Sequence, residues 1–99
     1  MQTVLVTAAD FEELLQREEG HFLDFKARET KPNKIQQLAV AFANSDGGEM
    51  LIGIKDASDA SGKERWHGFD NIESMNDTIQ AIFNLNPSVN PDFTFMKRD

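Results

Sequence analysis

The sequence predicts an α+β fold in which about three helices cover a small mixed or antiparallel sheet. Two observations support this class. Segments with helical spacing of apolar residues alternate with short segments of strand-like patterning, in the order α-β-α-β-β-α-β. In addition, the 99 residues are 39% hydrophobic and 27% charged, which is typical of an ordinary globular domain. We therefore expect one domain over residues 1–99 with one compact core.

A first helix is predicted over residues 8–17. Thr7-Ala-Ala-Asp10 is a capping-box pattern, in which the hydroxyl and the carboxylate accept backbone N–H groups at the start of a helix. Phe11 and Leu14 then recur at the spacing of one helical face.

A strand of about five residues is predicted within residues 21–27, HFLDFKA. Apolar and polar side chains alternate there. Leu23 and Phe25 should therefore face one side of the strand, while Asp24 and Lys26 face the other.

A second helix and a buried strand are predicted on either side of a glycine turn. Pro32 suits the first turn of a helix, and the apolar residues that follow share one face, which predicts a helix over residues 32–44. Gly47 and Gly48 should end it. Residues 50–54, MLIGI, are an apolar run typical of a strand covered on both faces.

The second half of the chain predicts a loop, a short strand, a helix and a final strand. Residues 57–65 form a polar loop, and residues 66–69, WHGF, should return as a short antiparallel strand. Residues 74–77, SMND, predict the cap of a third helix, which ends before Asn86-Pro87. Residues 92–99 alternate again, and a strand that begins as the chain ends suggests truncation from a longer protein.

The charge is unevenly distributed. The chain carries a formal net charge of −7, which disfavours approach to a phosphate backbone. Residues 26–34, KARETKPNK, are nevertheless cationic, and we refer to them as the basic segment. This segment holds four cations against the single acid Glu29: Lys26, Arg28, Lys31 and Lys34. We expect these four residues to form a nucleic-acid-binding patch.

Three acids are candidate metal ligands: Glu19, Asp24 and Asp56. Mg²⁺ and Mn²⁺ bind convergent carboxylate oxygens, and Lys26 beside Asp24 could hold a phosphate or a nucleophilic water. That arrangement would suit cleavage of a phosphodiester. The alternative interpretation is a solvated strand face with an ordinary Asp–Lys ion pair, because an acid two residues before a lysine is common.

Other side chains give weaker signals. The chain has no Cys, so disulfides and thiolate metal sites are excluded. His21 and His67 lack a second histidine at ligand spacing, which favours surface or capping roles. Trp66 could stack on a nucleobase, although a single Trp more often lies in a core or an interface. The N-terminus has only a short apolar run, so we expect a cytoplasmic protein with no membrane segment.

Several motifs together resemble a known family. HFLDFKA, then AVAFANSDGGEMLIGIKD, then HGF after a loop resemble the Schlafen/Alba-type DNA-binding domain of Schlafen proteins and bacterial transcriptional regulators. The resemblance spans about residues 19–84, and its most specific block runs from Ala41 to Gly53. It implies an Alba-like lobe of the Schlafen type that binds DNA or RNA.

The resemblance also implies roles for the three acids. In Schlafen relatives that cut RNA, two acids five residues apart and a third after the Ile-Gly-Val strand form a metal-dependent nuclease site. Glu19, Asp24 and Asp56 occupy the matching positions. Asp24 replaces the Glu that is common in the family, which shortens that side chain. Cleaving relatives pair two such lobes, so a homodimer would have to supply the second one.

Three hypotheses about function follow. The first is a homodimeric nucleic-acid-binding regulatory module, fused in its full-length parent to a C-terminal ATPase or regulatory domain. The second is a Mg²⁺- or Mn²⁺-dependent nuclease that uses Glu19, Asp24 and Asp56 as ligands and Lys26 as an electrophilic helper. The third is a non-catalytic assembly domain. Binding needs the basic segment, cleavage needs the carboxylates and a metal ion, and assembly needs neither.

Overall fold

Four strands and three α-helices make up the fold in the described part of the chain. The structure is a computed structural model, and it describes residues 2–20 and 22–98. The elements in chain order are β1 (Gln2–Val6), α1 (Ala8–Gln16), β2 (Leu23–Lys26), α2 (Pro32–Ala43), β3 (Glu49–Ile52), α3 (Asn76–Phe83) and β4 (Thr94–Arg98). Two short 3₁₀ helices, Gly62–Arg65 and Ile72–Met75, lie between β3 and α3. The predicted α+β class with three helices is confirmed. None of the described helices has the length and apolar composition that crossing a bilayer requires.

The strands form two separate parallel ladders. β2 pairs with β3 in a register that sets Asp24 opposite Met50 and Lys26 opposite Ile52. β1 pairs with β4. Antiparallel pairing occurs in isolated bridges, one of which joins Ile54 to Trp66. Both ladders are parallel, and within the described residues antiparallel pairing is confined to these isolated bridges. A parallel pair needs a long crossover, and α2 supplies it for β2 and β3.

Both faces of the β2–β3 ladder are covered by hydrophobic side chains. One face packs against α1 in a cluster of four buried residues: Leu23, Phe25, Leu51 and Ile54. The other face contributes Met50 and Ile52 to a second cluster with residues of α2 and α3: Ile35, Ala39 and Ile82. The prediction that the apolar run over residues 50–54 is covered on both faces is confirmed.

The predicted boundaries are close to those observed. The α1 and α2 helices each end one residue earlier than predicted, and the Thr7–Asp10 capping box is present. The third strand ends at Ile52 because Gly53 turns the backbone with a φ of +97°. The first residue of the segment predicted as β2, His21, and the last residue of the segment predicted as β4, Asp99, lie outside the described residues.

The predicted cap of α3 was wrong. The backbone is already helical from Ile72, because Asn71 caps the 3₁₀ helix by accepting hydrogen bonds from the Ser74 N–H at 3.1 Å and the Ser74 hydroxyl at 3.2 Å. Ser74 is therefore a partner of the cap, and α3 continues directly from the 3₁₀ helix at Asn76.

The β1 strand was not predicted. Its partner β4 lies at the opposite end of the chain, and Val6 is the only buried residue of β1. The ladder is held to the rest of the fold by Met96, which packs against the first cluster, and by Arg98, whose guanidinium lies 4.4 Å from the centroid of the Phe11 ring. Phe11 in turn packs edge-on against Trp66, with ring centroids 5.1 Å apart, so Trp66 is a packing residue.

The segment predicted as a polar loop contains a buried arginine. Arg65 is 6% exposed. Its Nε donates to the carbonyl oxygen of Lys55 at 2.8 Å, and its Nη1 donates to that of Leu15 at 3.0 Å. The guanidinium also lies 4.8 Å from the centroid of the Phe25 ring. Arg65 thus joins the end of α1 to the segment that follows β3.

Residues 66–69 return antiparallel, as predicted, but as a bridge and not as a strand. The N–H of Lys55 donates to the Arg65 carbonyl at 2.7 Å, and the N–H of His67 donates to the Gly53 carbonyl at 2.8 Å. These bonds fix the Trp66–Phe69 segment beside the end of β3.

We predict that Gly47 and Gly48 are needed for different reasons. Gly47 has a φ of +89°, so Gly47→Ala should reduce the free energy of unfolding by about 1–2 kcal/mol through backbone strain. A Cβ at Gly48 would overlap the ring of Phe42, so Gly48→Ala should cost about 1–3 kcal/mol through crowding. Urea unfolding measures both. Gly20 is the control, because a Cβ there meets no atom within 4 Å, and an equal loss in Gly20→Ala would contradict the prediction.

We predict that Arg65→Lys destabilises the fold by about 2–3 kcal/mol, because a lysine cannot reach both carbonyl groups and leaves at least one without a donor. The control is Arg17→Lys at the exposed Arg17–Glu49 ion pair, which is 3.0 Å long and should change stability by less than about 1 kcal/mol. Equal urea midpoints for the two variants would show that the hydrogen bonds of Arg65 to Lys55 and Leu15 do not stabilise the fold.

Candidate functional site

The candidate site lies at the edge of the β2–β3 ladder where both strands end. Because the strands are parallel, their carboxyl ends meet at the same edge, which is where ligands bind in many parallel sheets. The basic segment begins at Lys26, the last residue of β2. On the neighbouring strand, the chain passes through Gly53 and reaches Asp56 four residues after β3 ends.

Glu19 connects the outer edge of β2 to the acidic residues. Its Oε2 accepts the backbone N–H of Phe25 at 3.0 Å. This N–H is not used by β3, so the Glu19 carboxylate satisfies a donor that the strand edge would otherwise leave to water.

The structure brings together the three acids proposed from the sequence. Glu19 has a pKa raised to about 7. The largest cause is a hydrogen bond shared with the Asp24 carboxyl group, followed by partial burial and a hydrogen bond shared with Asp56, while the N–H of Phe25 acts in the opposite direction. Neighbouring carboxylates disfavour each other's ionised form, so a proton on Glu19 is retained to near neutral pH.

Lys26 lies beside Asp24 on the same strand face, as the alternation in HFLDFKA predicts. The distance from Lys26 Nζ to Asp24 Oδ2 is 3.2 Å, and the two side chains are 26% and 19% exposed. Lys26 is therefore neutralised within the site, and it is not the exposed cation that the basic segment was expected to present there.

Asp56 is held by a turn and carries an unsatisfied oxygen. Its carbonyl accepts the N–H groups of Asp59 at 3.0 Å and Ala60 at 3.2 Å. Its Oδ1 is buried and has no hydrogen-bond partner among the described residues. A buried carboxylate oxygen without a donor is costly, so this atom marks a position where a proton or a cation would be stabilised.

The three carboxylates do not form a ready metal site. Oxygen donors of this type suit Mg²⁺ or Mn²⁺. However, within residues 2–20 and 22–98, no group of three or more His, Cys, Asp and Glu side chains is arranged to hold a metal ion. Glu19 interacts with both Asp24 and Asp56, and these interactions favour the protonated form of Glu19 over the ionised form that a metal ion would need.

The rest of the basic segment leads into α2. Lys31 and Lys34 are both exposed and neither forms an ion pair within the described residues. Lys31 is the N-cap of α2, the cap has no side-chain hydrogen bond, and the first turn contains no acidic residue. The helix dipole therefore adds to the positive potential of the two lysines.

The Arg28 side chain makes two contacts within the domain. Its Nη1 donates to the carbonyl of Gly68 at 3.2 Å, and its Nε lies 3.4 Å from Glu29 Oε1. The same Glu29 oxygen lies 3.3 Å from Nδ1 of His67. Only a surface or capping role was predicted for His67. No spacing pattern links it to Glu29, because the two residues meet only through the fold. His21 lies outside the described residues.

A comparison with protein families identifies the chain. Residues 19–99 match the model of the family described as Schlafen, AlbA_2. The match covers most of the chain and includes all of the site residues described above. No curated protein and no solved structure matches the chain significantly. The chain belongs to the Schlafen, AlbA_2 family, and this membership fits a nucleic-acid-related domain.

Proposed function

We propose that this domain binds the phosphate backbone of DNA or RNA through the basic segment. The observation that carries the proposal is the pair of exposed lysines, Lys31 and Lys34, at the uncapped start of α2. In a chain with a net charge of −7, two unpaired cations beside a helix N-terminus form a local site for a phosphate group. Phosphate contacts carry no base information, so binding should be independent of sequence.

We also propose that the domain forms a homodimer and precedes a C-terminal ATPase or regulatory domain in its parent protein. A homodimer would place two basic segments on one nucleic acid, and a C-terminal ATPase or regulatory domain in the parent protein would couple binding to an output. A cytoplasmic location stays a prediction. If the domain binds no nucleic acid, the remaining hypothesis is a non-catalytic assembly domain that contacts proteins through its acidic surface.

We predict that changing Lys31 and Lys34 together to Glu weakens binding and flattens its salt dependence. Each lost phosphate contact should reduce the slope of log K against log salt by about 0.9 on duplex DNA and about 0.7 on single strands. Fluorescence anisotropy with labelled single- and double-stranded DNA and RNA measures both quantities.

The matched control is the double change of Lys63 and Lys97 to Glu. These lysines are also exposed, so the control changes the net charge equally but lies outside the basic segment. If both double variants lose the same affinity and slope, the effect is one of total charge, and the basic segment is not the contact surface.

A second candidate function is cleavage of the bound phosphodiester. The observation that favours it is the contact of Glu19 with both Asp24 and Asp56, with Lys26 3.2 Å from Asp24. The acids would have to release their shared proton and converge before they could hold a divalent ion. The direct test is to incubate the wild-type domain and the Asp24→Asn variant with labelled RNA and DNA, each with and without Mg²⁺ or Mn²⁺. Metal-dependent cleavage by the wild type alone would support this function.

We predict a pH signature for the Glu19 cluster. The pKa of Glu19 is raised from an ordinary 4.5 to about 7, so the protonated form is favoured in the folded state. Its stabilising contribution is complete below about pH 4.5 and is lost as pH rises through about 7. The melting temperature of the wild type minus that of Glu19→Gln should therefore fall over this window. A constant difference would show that Glu19 does not share its proton with the aspartates.

The same cluster gives a metal test. Mg²⁺ or Mn²⁺ should raise the melting temperature mainly above about pH 7, where Glu19 is ionised, by linkage between binding and folding. Asp56→Asn should abolish this increase, whereas Asp59→Asn at the exposed end of the same turn should retain it. If metal ions cause no shift, or an equal shift in both variants, the nuclease candidate is wrong and the binding proposal is unaffected.

A further inference from the structure

One oxygen of Glu29 is positioned between two nitrogen donors. Oε1 lies 3.4 Å from Nε of Arg28 and 3.3 Å from Nδ1 of His67. The pKa of Glu29 is lowered by its own backbone N–H and by the charges of His67 and Arg28, so the carboxylate is ionised at neutral pH. An anionic oxygen therefore lies within 3.4 Å of both nitrogens.

The two donors are fixed by the fold. Arg28 follows β2 by two residues and donates through Nη1 to the Gly68 carbonyl at 3.2 Å. His67 donates its backbone N–H at 2.8 Å to the carbonyl of Gly53, the first residue after β3. The Arg28 side chain and the His67 backbone are thus anchored at the carboxyl edge of the ladder, where the basic segment also lies.

The carboxylate between them is held less firmly. The Glu29 side chain is 60% exposed and belongs to the segment between β2 and α2. Nδ1 of His67 is buried, yet its contact with Glu29 does not meet the geometry of a hydrogen bond. Exposed ion pairs contribute little to stability, so Glu29 can leave this position readily.

We propose that Arg28 and His67 form a subsite for one phosphate group of a nucleic acid, and that Glu29 occupies this subsite in the free domain as an internal anion. A phosphate oxygen is an acceptor of the same kind as a carboxylate oxygen, and arginine is a preferred partner of both. The incoming phosphate displaces Glu29 and gives His67 a better-aligned acceptor. The proposal rests on the proposed function in that the phosphate belongs to a bound nucleic acid.

The main test is the affinity of Glu29→Gln for labelled single-stranded RNA and duplex DNA, measured over a range of salt concentrations. Removal of the internal anion should tighten binding by about threefold or more and steepen the salt slope, because Arg28 becomes free to release a counterion. Arg28→Gln should weaken binding and flatten the slope by up to about 0.9 on duplex DNA. His67→Asn should also weaken binding, because it removes the ring nitrogen that contacts the phosphate.

The matched control is Glu73→Gln, which removes the same charge from an exposed position in the second 3₁₀ helix. Melting curves identify any variant that fails to fold. If Glu29→Gln binds no more tightly than Glu73→Gln, or if the folded His67→Asn variant keeps the affinity and slope of the wild type, the subsite does not exist.

A second measurement separates failure of the subsite from failure of the proposed function. Titration of Glu29→Gln with inorganic pyrophosphate should shift the ring resonances of His67 in NMR spectra, and these are assigned by their loss in the double variant that also carries His67→Asn. A shift without any nucleic-acid binding would retain the anion subsite and overturn the proposed function. Nucleic-acid binding that depends on Lys31 and Lys34, without a shift of His67, would support the proposed function and rule out the anion subsite.

Discussion

The parallel pairing of β2 with β3 determines how the chain is connected and which residues meet at the candidate site. A parallel pair cannot be closed by a hairpin, so the chain must cross over through α2, and that crossover covers one face of the ladder. The other face is covered by α1. Both strands then end at the same edge, so the segment after Lys26 and the segment after Ile52 are brought together although they are far apart in sequence.

Glu19 joins this backbone arrangement to the chemistry of the edge. One of its oxygens accepts the N–H of Phe25, which protects the unpaired side of a two-stranded ladder. The same carboxyl group interacts with Asp24 and Asp56, and their proximity raises the pKa of Glu19 to about 7. A single side chain therefore has a structural and an electrostatic role. A glutamine could imitate the geometry but could not change its charge with pH.

The parts that the sequence predicted depend on neighbouring residues, and the parts it missed depend on distant ones. The capping box at Thr7 and the start of α2 at Pro32 are local patterns, and both were predicted within a residue. The three acids were grouped as candidate metal ligands from their chemistry, with an ordinary ion pair as the alternative, and the family resemblance implied the same three positions. The structure brings those three acids together, and their proximity raises the pKa of Glu19, but they do not form a ready metal site within the described residues.

The missed features have no local signature. The β1 strand is recognisable only through β4 at the other end of the chain. Arg65 sits in a polar stretch, GKER, and its burial depends on two carbonyl groups supplied by Lys55 and Leu15. The contact between Glu29 and His67 likewise depends on the antiparallel return beside Gly53. In each case the sequence shows an ordinary polar or apolar residue, and only the tertiary contact gives it a role.

The distribution of charge along the carboxyl edge imposes a condition on any phosphate ligand. In the proposed binding mode, Lys31 and Lys34 would attract a nucleic-acid backbone at the start of α2, whereas three carboxyl groups at the end of the ladder would repel it. The proton on Glu19 and the ammonium of Lys26 reduce that repulsion near neutral pH. A backbone that binds along the basic segment is therefore tolerated beside the acids only while their charge is neutralised, by a proton, by Lys26 or by a cation. The proposed binding and the ionisation state of the acidic cluster are therefore thermodynamically linked, with or without cleavage of the bound strand.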